Sequence, residues 1–147
     1  MSRIALLDVN VLIALFDPDH LHHDPAHDWL ADIRANGWAT CPLTENAVVR
    51  ILAHPGYVEG PESPAQIVKR LRRFCGSGGH VFWGDTLSVR DRQRFPATFP
   101  VSPRQLTDSY LLALAAANDG TLATFDRSIP LATVVGATAD HLTLISA

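Results

Sequence analysis

The sequence is poor in several things at once. It has two cysteines, Cys41 and Cys75, far apart and in no CxxC pair. That spacing predicts neither a disulfide framework nor a cysteine-based zinc site. No apolar run approaches the roughly 20 residues a membrane span needs. The N-terminus lacks the basic region, long apolar stretch and small-residue cleavage site of a secretory signal. A soluble, cytoplasmic protein is the expectation. Positive charge is scarce too: 12 Lys and Arg against 15 Asp and Glu leave a net charge of −3. That argues against a bulk basic coat for nucleic acid. Repeats, linkers and low-complexity segments are also lacking.

What is there suits a folded globule. The chain has 147 residues, 47% hydrophobic and 18% charged, enough for one domain with its own core. Its basic residues are unevenly spread. Lys69, Arg70, Arg72, Arg73, Arg90, Arg92, Arg94 and Arg104 crowd the middle third. Such a cluster is either a solvated helix face or a local patch that follows a phosphate backbone.

Strand and helix signals alternate. Residues 4–9 are apolar without alternation, the pattern of a strand buried on both faces. Helices are predicted from Val11 to Phe16, His23 to Ala35, Leu43 to Ala53, Pro64 to Cys75 and Asp108 to Asn118, the last capped by Thr107. Further strands are predicted at Trp38–Cys41, His80–Trp83, Leu122–Phe125 and Leu142–Ile145. Between residues 84 and 105 the pattern is weak; Ser88 is placed as the cap of a short helix before Pro96, Pro100 and Pro103. The alternation implies an α/β sandwich around a mostly parallel sheet.

Four carboxylates stand at element ends. Asp8 closes the first strand and Asp126 follows Leu122-Ala123-Thr124-Phe125, while Glu45 and Asp108 fall in the first turns of two helices. Two readings are open. Each acid can cap a turn or favour a helix dipole. Alternatively the acids converge at the carboxyl ends of parallel strands, where ligands collect. Their mutual repulsion then requires a cation, and an all-oxygen set suits Mg2+ or Mn2+. Such a site supports phosphodiester hydrolysis.

The stretch LLDVNVLIALFDPDHLHHDPAHDWL, then CPLTENAVVRIL, then LTDSYLLALAAANDGTLATFDRSI resembles, in order and spacing, the PIN domains of VapC toxins from type II toxin–antitoxin systems. The match is weakest from about residue 56 to 105. The resemblance implies a single Rossmann-like PIN domain over residues 1–147 and an Mg2+-dependent endoribonuclease, with Mn2+ as a substitute. It implies a homodimer and a small VapB-type antitoxin as partner. It assigns catalysis to Asp8, Glu45, Asp108 and Asp126, with Asp8, Asp108 and Asp126 at the metal. Asn10 and Thr124 become the groups that orient those carboxylates. Lys69, Arg70, Arg72 and Arg73 are candidate RNA contacts.

Other signals carry less. His20, His22, His23 and His27 do not form HxHxDH or HExxH, so they are read as helix-entry and surface residues. Trp29 and Trp38 are read as packing, and Gly76-Ser77-Gly78-Gly79 as a turn lacking the Lys-Ser/Thr of a phosphate loop. A phosphatase of the haloacid dehalogenase type needs a second Asp where Asn10 stands. A non-catalytic RNA- or partner-binding domain of the same fold is the other alternative.

Overall fold

The structure is a computed structural model that describes residues 3–96 and 102–146. Five strands form one sheet: β1 (Ala5–Leu7), β2 (Trp38–Thr40), β3 (His80–Phe82), β4 (Thr121–Thr124) and β5 (Leu142–Leu144). Their order is β3-β2-β1-β4-β5, and every pair is parallel. The helices are α1 (Val9–Phe16), α2 (His23–Ile33), α3 (Pro42–Leu52), α4 (Pro64–Cys75) and α5 (Leu106–Ala117).

Alternation along the short strands sorts the core into two layers. Ala5, Leu7, Trp38 and Ala123 point to the side covered by α1 to α4. Leu6, Ala39 and Leu122 point to the side covered by α5. Helix α5 is buried from Ser109 through Ala115, which explains why its sequence is apolar all round rather than along one stripe. Gly120, between α5 and β4, sits where an added Cβ would lie 2.6 Å from the Ile4 carbonyl oxygen and 2.5 Å from the Trp83 ring.

Two sequence-based boundaries need correction. Residues 88–95 form turns instead of a helix, and the Ser88 hydroxyl accepts from the Arg90 N–H. Thr107 is inside α5, not at its cap: a 3-10 turn at Pro103–Gln105, begun by Ser102, leads straight into the helix at Leu106. Pro100 lies outside the described residues.

Candidate active site

Parallel β1 and β4 are neighbours, so their carboxyl ends bring Asp8 and Asp126 to one edge of the sheet. Asp8 ends the strand with its N–H on the Ala123 carbonyl at 2.9 Å, then starts α1. Its Oδ1 accepts the Val9 N–H at 2.7 Å and its Oδ2 accepts the Thr124 hydroxyl at 2.8 Å. Asp8 is thus a helix cap and a buried carboxylate at once, only 4% exposed. Both readings of this residue hold.

Thr124 is the hub. Its oxygen donates to Asp8 and accepts the Asn10 side-chain amide at 3.1 Å and the Asp126 N–H at 3.0 Å. Asn10 Oδ1 in turn accepts the Phe125 N–H at 3.4 Å. One hydroxyl therefore ties together the carboxylate of one strand end and the backbone of the next.

Asp108, in the first turn of α5, lies near enough to Asp8 and Asp126 for their charges to act on it. Burial, then the charges of Asp8 and Asp126, push its carboxyl up to about 6. Burial also raises Asp8, against the hydrogen bonds from Thr124 and Val9, and Asp126 adds to the rise. Among the described residues the ion pair found is Arg70 with Glu62; no basic side chain pairs with Asp8, Asp108 or Asp126. Acids whose charges act on a shared neighbour, none of them ion-paired with a basic side chain among the described residues, suit a divalent ion.

Asp8 and Asp108 line a cavity of about 760 Å³ between α1, α3 and α5. The structure does not bring Glu45 to it. The cavity face of α3 carries Leu43, Ala47 and Arg50. Glu45 points to the side of Val49, and its Oε2 accepts the Thr40 hydroxyl at 2.6 Å. Glu45 thus parts from the other acids of the expected quartet, because each residue along a helix turns its side chain by roughly 100°; Asp126 is not among the residues lining the cavity.

Two cavity residues were not singled out from the sequence. Asp85 follows β3 as Asp8 and Asp126 follow β1 and β4, a shared signal that marks it in hindsight. Its Oδ2 accepts the Leu43 N–H at the start of α3 at 3.2 Å, and its Oδ1 accepts the Tyr110 hydroxyl at 3.1 Å. Arg50 is exposed and brings a positive charge to the same cavity.

The basic helix α4 lies apart from this cavity. Lys69, Arg72 and Arg73 are exposed. Arg70 is committed elsewhere, bonded to Glu62 at 2.6 Å and to the Phe16 carbonyl. The histidines are structural: His23 bonds the Ala14 carbonyl at 2.7 Å and His27 the Leu15 carbonyl at 2.9 Å. Trp38 is buried, and Trp29 packs against the core.

A profile of the PIN domain matches residues 5–133. Ribonuclease VapC44 of Mycobacterium tuberculosis is 46% identical over 138 residues, covering 94% of this chain and 96% of that protein. Ribonuclease VapC39 of the same organism is 39% identical over 125 residues, covering 85% and 90%. A solved structure of FitAB bound to an IR36 DNA fragment superposes with a TM-score of 0.57 at 18% identity, covering 84% of this chain and 85% of that one. With this similarity and the five-stranded parallel sheet, the chain belongs to the PIN-domain family and groups there with the VapC ribonucleases.

Proposed function

We propose that this chain is the endoribonuclease toxin of a VapBC-type toxin–antitoxin system, hydrolysing RNA phosphodiester bonds with Mg2+, for which Mn2+ substitutes. One observation carries the reading: Asp8, at the end of β1, and Asp108, at the start of α5, border one cavity, the charges of Asp8 and Asp126 help raise the Asp108 carboxyl, and none of the three has an ion-pair partner among the described residues. A divalent ion held there supplies positive charge toward the scissile phosphate and a water acidified for attack.

The protein's own part is positioning. Asp8, Asp108 and Asp126 hold the ion. Thr124 and Asn10 fix the Asp8 carboxylate and the backbone of Asp126. Arg50 holds a phosphate at the cavity, and exposed Lys69, Arg72 and Arg73 form outer contacts along the RNA. The whole chain works as one PIN domain in the cytoplasm, as a homodimer restrained by a VapB-type antitoxin. The test is incubation of purified protein with total RNA, with Mg2+ or with chelator, followed by mapping of new 5′ ends. Cleavage should require the ion and fall to background in Asp8→Asn. A wild-type protein that cuts nothing under Mg2+ or Mn2+ would leave only a binding role.

A further inference from the structure

A second group of ligand-bearing side chains sits on the α1–α4 side of the sheet, away from the aspartates. Glu45 comes from α3, Cys75 is the last residue of α4, and His80 opens β3. One carboxylate oxygen, one ring nitrogen and the sulfur all lie within 4.8 Å of one another, and all three residues are half-buried. Thr40 of β2 stands among them. Its hydroxyl is 2.6 Å from Glu45 Oε2 and 2.7 Å from His80 Nε2. Carboxylate and imidazole are therefore drawn to a common point by the fold itself.

We propose that Glu45, Cys75 and His80 form a transition-metal site that takes Zn2+, separate from the aspartate site. The donor set decides the ion. A thiolate and an imidazole are poor ligands for Mg2+ but suit Zn2+, which binds S, N and O together in a tetrahedron. In such a tetrahedron donor atoms stand roughly 3.3–3.7 Å apart, from bonds of about 2.0–2.3 Å. From a spacing within 4.8 Å, the closure required is at most about 1.5 Å, the scale of a side-chain rotation. Three protein ligands leave the fourth position to water. On binding, the Cys75 thiol gives its proton to solvent and its sulfur bonds the ion.

The placement gives the ion a structural consequence. It joins the C-terminal end of α4 to β3 and α3, across the turn at Ser77–Gly79. A cysteine nucleophile is the competing use of the same trio. Burial, then Glu45, push the Cys75 thiol to about 11, which leaves it protonated and poorly nucleophilic without an ion.

The test is Co2+ titration of tag-free protein, read by the thiolate-to-cobalt charge-transfer absorption in the near ultraviolet. That band reports sulfur ligation, so neither the four histidines near α2 nor the aspartates can produce it. The wild type and Asp8→Asn should both develop the band, with an amplitude of one thiolate-bound Co2+ per chain, and Zn2+ should displace it. Cys75→Ser should lose the band, and His80→Asn should weaken Co2+ binding at least tenfold. Zn2+ should raise the melting temperature of the wild type and not of Cys75→Ser. Absence of the band in the wild type overturns the proposal, as does its persistence in Cys75→Ser, which would assign it to Cys41. Because the wild-type result stands alone, a poorly folding variant does not rescue the idea. The Asp8→Asn arm keeps this outcome independent of the nuclease assignment.

Discussion

At the scale of single residues, the strongest consequence concerns Asp108. Its carboxyl is raised to about 6 from 3.8 by burial and by two neighbouring carboxylates. A raised carboxyl favours the folded state when protonated. The benefit is whole below pH 3.8 and is lost as pH rises through about 6. At neutral pH the ionised group therefore opposes folding of the metal-free protein. The full shift corresponds to roughly 3 kcal/mol, and partial exposure cuts that to about 1 kcal/mol. In chelator at pH 7.5, Asp108→Asn should gain about that much stability in urea titrations. The gain should vanish near pH 3.5, where both side chains are neutral. Mg2+ should reverse the order at neutral pH, because the ion stabilises the form that binds it. Asp108→Asn that is no more stable without metal would mean that neither burial nor the charges of Asp8 and Asp126 oppose ionisation of Asp108.

At the scale of elements, α1 shows how much the sequence discloses and what it hides. Its end at Phe16 was legible, and its start was placed two residues late, at Val11 instead of Val9. What closes that end was not legible. The last carbonyls of a helix need donors from elsewhere. Here Ala14, Leu15 and Phe16 receive them from His23, His27 and Arg70. The histidines that invite a zinc reading and an arginine that invites an RNA reading are thus caps of one helix. Nothing in their spacing reveals that, since it depends on where α2 and α4 pack. Glu45 fails in the same way: the acid is correctly placed in the first turn of α3, but which face meets the β1 end is set by packing. The pairing of β2 with β3 and the end of α4 then give Glu45 other company, which sequence separation conceals. By contrast, Asp8 and Asp126 were readable because a strand end fixes where the next residue goes. Arg70→Ala should cost about 1 kcal/mol, a charged hydrogen bond to a carbonyl discounted for partial exposure. It should leave RNA affinity and its salt dependence unchanged. Weaker RNA binding in a variant of unaltered stability would return Arg70 to the RNA path.

At the scale of the whole molecule, a chain of net charge −3 must still hold a polyanion. Distance resolves this. At physiological salt, exposed charges more than about 8 Å apart are largely screened, so RNA responds to the charges it touches and not to the sum. With Arg50, Lys69, Arg72 and Arg73 each meeting one phosphate of a single strand, log affinity should fall against log salt with a slope of about −3. Measured on the cleavage-silent Asp8→Asn protein, Arg50→Ala should flatten that slope by about 0.7, one contact's worth for a single strand. Lys69→Ala should flatten it equally, but Arg50→Ala should also slow cleavage in the otherwise wild-type enzyme, because Arg50 borders the same cavity as Asp8 and Asp108. A slope near zero would mean that RNA is held by contacts to bases. An unchanged slope in Arg50→Ala would mean that Arg50 meets no phosphate and that the strand reaches the aspartates without passing it.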